Sequence, residues 1–396
     1  MHNMTDLDIL NPIFFVFILA VGIASSLIFQ KVFNEKQDHV KYLSIDGLRG
    51  YLAFFVFIGH SAIWYYYLKT GTWTFVNSKL FYASAAVSVL FFFMITAFLF
   101  FLKLIDNKTK PIDWTRLYVS RLTRLLPLYY FVFFIILLFV FILTDFKLNE
   151  SPIKILKEII QWLSFNLLGI TNINGSKDTT IIIAQVVWSL QYEWLFYFTL
   201  PLVNLIFFRS KINVLVFLIN TILLVSFTMF LRPEIYYFYI FLGGVIAAFV
   251  VKKLKISNPN SLLCNVIMIL SIAIFFVFFK INTHQYFLAI LLFFIFSLIA
   301  LGNSIFGILT TNFSRFLGKI SYSIYLIHPI VLFVAFRFVL SYKVAKQYSA
   351  IEFWGLIAIL TPVLILISYF TFKIIEEPIM KKTSKITSLL KRNKNV

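Results

Sequence analysis

Long apolar runs separated by short polar connections occupy most of the chain. Each run is close to the twenty residues that cross the hydrocarbon core of a bilayer. Runs of this kind must be helical, because lipid offers backbone groups no other partner and the sequence lacks the alternating pattern of a β-barrel. The sequence therefore predicts an all-α integral membrane protein with about eleven transmembrane helices. The predicted spans are 10–30, 48–68, 80–102, 125–144, 188–208, 212–231, 234–251, 261–280, 285–303, 318–340 and 352–374.

The composition agrees with this pattern. Of the 396 residues, 61% are hydrophobic and 13% are charged, which is about half the charged share of a soluble protein. The basic residues behind the net charge of +19 form short clusters between spans rather than one soluble face, so no nucleic-acid partner is predicted. The single cysteine, Cys264, excludes an intramolecular disulfide and disfavours a thiolate metal site. No metal cofactor is predicted.

Basic residues distinguish the two sides of the membrane. Alternate connections, together with the C-terminal tail, hold 24 of the 35 Lys and Arg residues. Because positive charge accumulates in cytoplasmic loops, the C-terminus is predicted to be cytoplasmic and, with eleven spans, the N-terminus outside. Asp6 and Asp8 agree with that orientation. The first apolar run has no basic residue before it and is long, so it is predicted to be a retained span rather than a signal peptide.

The longest predicted outer loop, residues 145–187, contains a segment with helical periodicity. An amphipathic helix of this kind lies in the membrane interface, where it anchors the loop or guides a substrate. Its apolar face is predicted to hold Ile155, Ile159, Trp162 and Leu163, with Lys154, Lys157 and Glu158 off that face.

Arg49 and His60, both in the second span, are candidate functional residues because ionisable groups are costly inside a membrane. They are eleven residues apart, so they lie on nearly the same helix face, about 16 Å apart along the axis. Arg49 is predicted at the cytoplasmic edge and His60 beyond the bilayer midplane. This arrangement suits a long ligand whose anionic head is held inside while its reactive end reaches deep. Alternatively, Arg49 only follows the charge rule for cytoplasmic loops and His60 reaches the outer interface.

The same residues carry a family resemblance. The string "DGLRGYLAFFVFIGH" at 46–60 resembles the opening of the acyltransferase 3 family of membrane O-acyltransferases, in which a basic residue, ten residues and a histidine follow one another. Four further stretches are similar to that family in the same order, "FFFMITAFLF", "SRLTRLLPLYY", "VVWSLQYEWLFYFTLP" and "LGKISYSIYLIHP". The chain departs from the family at Thr96 and Ala97, where Ser-Gly is common, and the missing glycine limits helix approach there.

The resemblance implies a ten-helix acyltransferase core over residues 43–380. An extra N-terminal helix with a cytoplasmic linker would precede it at 1–42, and a basic cytoplasmic tail would follow it at 381–396. The resemblance also implies that the donor is acetyl-CoA or a similar acyl-CoA, whose pantetheine arm would extend from Arg49 toward His60.

A second basic cluster fits such a donor. Arg121 and Arg124 are three residues apart on one helix face, at the predicted cytoplasmic end of a span. Together with Arg49 and Arg116 they would form a cationic bowl for the phosphates of the donor. An ordinary cytoplasmic charge cluster is the alternative interpretation.

Glu193 is an acid inside a span, with Ser189 one turn before it and Tyr197 one turn after it. A lone carboxylate there is costly unless it is protonated, paired or facing water. A pair of His60 and Glu193 would supply general-base chemistry, in which the carboxylate fixes the tautomer of the histidine. A structural role for Glu193 is the alternative. Ser189 and Trp188 are predicted to line the substrate path, although Trp188 is also typical of an interface aromatic.

Tyr322, Tyr325 and His328 recur every three residues and form a polar stripe that enters the membrane. Pro329 follows and frees a backbone carbonyl nearby. Tyr325 and His328 are predicted to line the substrate tunnel, with His328 near the donor thioester. A hydrogen-bonded core histidine is equally compatible with this pattern.

The combined prediction is a multi-pass protein of the bacterial inner membrane. It would move an acyl group such as acetyl from cytoplasmic acyl-CoA to a hydroxyl of a saccharide or glycolipid at the outer face, with His60 and Glu193 as catalytic residues. The spacing is compatible with His60 as the base for direct transfer and with His60 as a transient carrier of the acyl group. O-antigen, capsule and exopolysaccharide all present such hydroxyls. The competing class is a transporter or flippase for lipid-linked saccharides, but the paired halves with interrupted spans typical of one are not visible. A catalytically inactive partner in polysaccharide assembly is a third alternative.

Overall fold

The computed structural model describes residues 8–35, 41–107, 112–208, 214–281 and 283–392. Asp6, which supported an outside N-terminus, lies outside these residues, as do the basic positions in 36–40, 108–111 and 209–213. The described backbone is helical and contains no strand. Its α-helices are α1 Pro12–Val32, α2 Leu43–Thr70, α3 Lys79–Asp106, α4 Trp114–Leu143, α5 Pro152–Leu163, α6 Thr179–Ile182, α7 Trp188–Val203, α8 Val214–Leu231, α9 Ile235–Lys253, α10 Leu262–Phe278, α11 Tyr286–Ala300, α12 Asn312–Lys319, α13 Ser321–Val334, α14 Tyr342–Ala345, α15 Ala350–Thr371, α16 Glu377–Lys381 and α17 Thr383–Arg392.

Short segments of other helix types extend three of these helices. The π-helical segments are Asn204–Phe208 after α7, Ala335–Val339 after α13, and Phe372–Glu376 after α15. A 3₁₀ turn, Ile308–Thr310, precedes α12.

The chain forms two compact units. The first unit comprises residues 1–99 and 239–368, and the second comprises residues 100–238 and 369–396. The boundaries between them fall inside α3, α9 and α15.

Eight of the described helices are long and apolar enough to cross a membrane. They are α1, α2, α3, α4, α8, α9, α13 with its π-helical extension, and the helix that begins at α15. The three other predicted spans are also helical, as α7, α10 and α11, but these helices have only 16, 17 and 15 residues. The prediction of an all-helical fold with several helices long and apolar enough to span a membrane is confirmed for the described residues, whereas their insertion in a membrane and the count of eleven remain predictions.

Helix α2 is the central helix of the first unit. In its most apolar window 83% of the residues are buried, and it packs against α12 and α13. Glycines allow this close packing, because a Cβ atom at Gly318 of α12 would overlap the carbonyl of Asp46 and one at Gly50 would overlap Leu317. Backbones can approach this closely only where side chains are absent.

The segment between α4 and α7 in the second unit differs in two respects from its prediction. Helix α5 is amphipathic as expected, but Glu158 lies on its buried side, where the carboxylate accepts a hydrogen bond from the Asn174 amide at 3.0 Å. Trp162 is fully buried, and its indole Nε1 donates to the Thr171 carbonyl at 2.9 Å. The exposed stripe consists of Ile153, Leu156, Ile160 and Leu163. The sequence pattern therefore predicted the helix correctly but assigned Glu158 and Leu163 to the wrong faces.

The C-terminal helix α17 packs against the start of α4 in the second unit. Thr123 and Thr383 share a hydrogen bond of 2.8 Å between their hydroxyls. Lys391 forms an ion pair of 2.6 Å with Asp113, and the other oxygen of Asp113 caps α4 by accepting from the Arg116 amide. Partial burial raises the pKa of Asp113. The hydrogen bonds and positive charges together lower it by more than burial raises it, so the pKa of Asp113 lies below its ordinary value.

Candidate active site

Helix α2 carries two of the predicted site residues of the first unit, Arg49 and His60. It runs without interruption from Leu43 to Thr70, so Arg49 and His60 lie on one face at an axial distance of about 16 Å. Arg49 is mostly buried and lies 3.8 Å from the carboxylate of Asp46, one turn earlier. His60 is 8% exposed. The predicted spacing of the two residues is therefore realised on one continuous helix.

The imidazole of His60 is hydrogen-bonded to that of His328. The Nδ1 atom of His60 lies 2.9 Å from Nε2 of His328, and the two rings stack with centroids 5.1 Å apart and planes 12° apart. His328 is completely buried. Helix α13 thus brings to His60 a residue that is 268 positions away in the sequence.

The hydrogen bonds determine which nitrogen of each neutral ring carries the proton. Nδ1 of His328 lies 3.0 Å from the carbonyl oxygen of Ile324, which only accepts, so this nitrogen must donate. Nε2 of His328 is then the acceptor, and Nδ1 of His60 must donate to it. His60 therefore keeps its lone pair on Nε2, for which the described residues offer no hydrogen-bond partner. This is the tautomer required of a general base or a nucleophile at Nε2.

Pro329 explains why α13 can hold His328 in this way. A proline has no amide hydrogen, so the carbonyl of Tyr325, four residues earlier, loses its usual helical donor. The carbonyls of Ile324 and Tyr325 both interact with the His328 ring. The sequence His-Pro therefore supplies backbone acceptors that fix the tautomer of His328.

Aromatic rings enclose the two histidines. Phe57 and Tyr325 approach the His328 ring edge-on, with centroids 6.4 and 6.2 Å away. Trp73, in the loop after α2, lies 6.3 Å from the His60 ring. Tyr325 is thus adjacent to the histidine pair, and its place in the substrate path stays a prediction.

The second unit holds Glu193 on α7. The hydroxyl of Tyr197 donates to its carboxylate at 3.0 Å, and Arg121 of α4 interacts electrostatically with both residues. The carboxylate is therefore paired, which is one of the conditions under which an acid is tolerated in a span. Since Nδ1 of His60 is occupied by His328, the tautomer of His60 is fixed by His328 and not by Glu193 as the sequence predicted.

The remaining predicted residues of α7 lie at its first turn. Ser189 is buried, and its hydroxyl donates to the Val186 carbonyl at 3.2 Å. Trp188 is half-buried and packs against Tyr237 and Tyr192. These contacts place Trp188 in an aromatic cluster of the second unit, and its substrate role stays a prediction.

Three arginines of the predicted cationic bowl, Arg116, Arg121 and Arg124, lie within α4, as the sequence predicted for Arg121 and Arg124. Helix α4 begins at Trp114, eleven positions before the predicted start of the span at 125. Arg121 is therefore two turns into the helix, with its guanidinium over the Phe100 ring at 5.1 Å. Its buried Nε atom has no hydrogen-bond partner among the described residues.

Lys103 is a further member of this cationic group. It interacts electrostatically with Arg116 and Arg121, and with Asp113 as the counter-charge. The sequence placed Lys103 only among the cytoplasmic charges, because a position at the end of one helix gives no indication of its neighbours on another. Arg49 belongs to the first unit, and the other arginines of the predicted bowl belong to the second.

Comparison with known proteins supports the resemblance found in the sequence. A family model described as an acyltransferase domain matches residues 42–373. The chain belongs to the acyltransferase 3 family. No curated protein and no solved structure gives a significant match.

The match to the acyltransferase 3 family includes every predicted site residue, from Arg49 to His328. It begins one residue before α2 and ends within the π-helical segment after α15, so that α1 and α17 lie outside it. Membership of this family supports a membrane acyltransferase. Among the described residues, no group of three or more His, Cys, Asp or Glu side chains is arranged to hold a metal ion.

Proposed function

We propose that the protein is an O-acyltransferase of the bacterial inner membrane, which moves an acetyl or similar acyl group from cytoplasmic acyl-CoA to a hydroxyl of a cell-surface saccharide. The observation that carries this proposal is the hydrogen-bonded pair of His60 and His328, which leaves the lone pair of His60 on Nε2. A base of this kind is what the transfer of an acyl group to a hydroxyl requires.

The proposed reaction needs only the residues of this pair as acid and base. Nε2 of His60 takes the proton of the acceptor hydroxyl while the oxygen attacks the thioester carbonyl. The carbon–sulfur bond then breaks, and the CoA thiolate takes the proton back from His60. Throughout, Nε2 of His328 accepts from Nδ1 of His60 and stabilises the transient imidazolium. An ester and free CoA are the products.

The donor site of the proposal rests on the cations. Arg116, Arg121, Arg124 and Lys103 form the basic group of the second unit and would bind phosphates of CoA. Arg49 is the proposed donor contact of the first unit. Guanidinium groups suit this role because they bind phosphate with two parallel hydrogen bonds.

Glu193 enters the proposal with a modified role. Its carboxylate faces Tyr197 and Arg121, so we assign it the task of holding the Arg121 guanidinium in place. Ser189 and Trp188 are proposed to contact the acceptor path. Each of these assignments is separable from the role of His60 by mutation.

The decisive experiment replaces His60 with Ala in protein reconstituted into vesicles and measures release of CoA from acetyl-CoA. Since general-base catalysis contributes about 10²–10⁴-fold, turnover should fall at least about 100-fold. His284→Ala is the matched control, because His284 is an exposed loop residue of the same type. Undiminished turnover in His60→Ala would exclude His60 as the base. Absence of acetyl-CoA binding and turnover in the unaltered protein would favour the transporter class.

A further inference from the structure

The loop between α2 and α3 places one indole ring beside the histidine pair. Trp73 is half-exposed, and its ring centroid lies 6.3 Å from that of His60. The same ring packs against the rings of Trp64 and Tyr67, whose centroids lie 5.5 and 5.6 Å from its own. Trp73 is thus the accessible edge of an aromatic cluster that borders the proposed base.

The inner part of this cluster is buried and carries a hydrogen-bond donor that has no partner among the described residues. Trp64 is fully buried and packs against Phe333 and Phe336. Its indole N–H is buried and has no hydrogen-bond partner among the described residues. Buried polar atoms are nearly always hydrogen-bonded, so an unpartnered one indicates a missing water or ligand group. Trp64 follows His60 by four residues and therefore lies on the same face of α2.

Local contacts hold the loop on both sides of Trp73. Gly71 caps α2 in a left-handed conformation with φ of 73°, and the hydroxyls of Thr70 and Thr72 hydrogen-bond at 2.8 Å. After Trp73, Val76 is buried and anchors the loop. The position of the Trp73 ring is therefore set by the loop.

The chemistry of this surface selects among ligands. The loop from Thr70 to Ser78 contains no charged residue, so it offers nothing to the phosphates of a donor or a lipid. It instead places the half-buried aromatic face of Trp73 beside His60, whose Nε2 carries a lone pair. A neutral sugar ring has an apolar C–H face that packs on an aromatic ring, and hydroxyls that both donate and accept.

We propose that Trp73 is the platform on which the sugar ring of the acceptor stacks, beside the imidazole of His60. The proposal rests on the proposed function, because it presents an acceptor hydroxyl to Nε2 of His60. It adds that the acceptor is recognised at this point as a neutral pyranose. Trp73 is a binding residue and takes no part in proton transfer.

The test separates acceptor binding from donor chemistry. Purified protein is assayed for CoA release from acetyl-CoA, first with water alone and then with a series of methyl pyranosides. For Trp73→Ala we expect the KM for the pyranoside to rise about tenfold, the typical weight of one aromatic stacking contact. That rise should exceed any change in donor hydrolysis. For Trp73→Phe the KM for the pyranoside should lie between those of the unaltered protein and Trp73→Ala, because phenylalanine keeps an aromatic face.

Phe75→Ala is the matched control, since Phe75 is an exposed aromatic residue of the same loop and packs on Tyr82 instead of His60. It should leave both the pyranoside KM and the hydrolysis rate unchanged. An equal loss of hydrolysis and transfer in Trp73→Ala, without a rise in KM, would show that Trp73 only packs against His60. Donor hydrolysis that no pyranoside increases would also overturn the inference. Failure of the proposed function is a distinct result, seen as donor turnover that survives in His60→Ala.

Discussion

At the scale of single residues, the ring nitrogens of His328 decide what His60 can do. Nδ1 of His328 donates to a backbone carbonyl, so Nε2 is an acceptor for His60. A glutamine at this position can repeat both interactions, because its amide has a donor and an acceptor. A leucine has a similar volume but neither group. The two substitutions therefore separate hydrogen bonding from packing.

We expect His328→Leu to lower kcat about tenfold or more, because loss of orientation removes part of the 10²–10⁴-fold contribution of a general base. His328→Gln should retain most of the activity, and the KM for acetyl-CoA should be similar in both. The measurement is steady-state kinetics on reconstituted protein, with thermal unfolding to verify folding. Equal activity of the two variants would show that His328 acts only by filling space.

The residue scale also shows where the sequence was informative. The spacing of Arg49 and His60 on one helix follows directly from helical geometry. The partner of His60 does not, because residues 60 and 328 meet only through the packing of α2 against α13. The polar stripe and Pro329 marked His328 as a candidate. Trp73 carried no signal, since a single aromatic residue in a short loop is common at a membrane interface.

At the scale of helices, the contact between α2 and α12 depends on glycine. A Cβ at Gly318 would overlap the carbonyl of Asp46, a backbone atom that has little freedom to move. We expect Gly318→Ala to destabilise the protein by about 1–3 kcal/mol, as overpacking does. Thermal unfolding in detergent, followed by tryptophan fluorescence, measures the change.

Gly355 provides the control for that prediction. It lies inside α15, and a Cβ there would meet no atom within 4 Å. Gly355→Ala should be neutral or stabilising by up to about 1 kcal/mol, because alanine is the better helix former. Destabilisation by both variants to the same extent would show that the close approach of α2 and α12 has no special importance.

The docking of α17 on α4 should depend on pH. Because the pKa of Asp113 lies below its ordinary value in the folded chain, its contribution is complete above the ordinary pKa and is lost as the pH falls through the lowered value. The pair with Lys391 is half-exposed, so its contribution is about 0.2–1 kcal/mol. A nitroxide label at position 388, in a Cys264→Ser background, should therefore become more mobile at acid pH.

Two variants of Asp113 distinguish its functions at neutral pH. Asp113→Asn keeps a side chain that can cap α4 but removes the charge, so the label should show only the mobility gained by loss of the ion pair. Asp113→Ala removes both, and should loosen α17 further. A label whose mobility is the same in all variants and at every pH would show that the hydroxyl contact between Thr123 and Thr383 is sufficient for docking.

Helix boundaries show the limit of apolar-window reasoning. The span predicted from 125 begins at Trp114, because the first three turns of α4 carry Arg116, Arg121 and Arg124 and fall below the apolar threshold of a span. The helix continues there since its polar residues face other polar groups of the second unit. Conversely, the predicted span from 318 is divided at Ile320 into α12 and α13. A hydropathy average over twenty residues does not show where a helix ends or which neighbouring groups its residues contact.

At the scale of the whole molecule, the number of spans determines the sides on which the two ends lie. Eleven spans place them on opposite sides, whereas the eight long helices alone would place them on the same side. If α10 and α11 are both omitted, the number of spans falls by two and stays odd, so the two ends remain on opposite sides. The positions of the two ends therefore test whether α7 crosses the membrane. Whether α10 and α11 cross must be tested separately, from the position of the loop between them.

Contacts within the first unit support the prediction that the short helix α10 crosses the membrane. Near its start, Asn265 accepts from Asn303, whose neighbour Gly302 accepts from Ser44 at the beginning of α2. Near its end, the carbonyls of Phe276 and Val277 accept from Lys79 at the beginning of α3. Since α2 and α3 are consecutive spans, these two contacts lie at opposite membrane faces. The 17 residues of α10, about 25 Å long, are at the lower limit for a span.

We therefore expect single cysteines at positions 8, 177 and 283, in a Cys264→Ser background, to react with a membrane-impermeant maleimide on intact cells. A cysteine at position 388 should react only after the membrane is opened. This pattern follows from basic residues on the cytoplasmic side and an odd number of spans. Protection of position 283 would mean that α10 and α11 do not cross. Labelling of positions 8 and 388 from the same side would exclude eleven spans and, with them, a donor site on the cytoplasmic face at the start of α2.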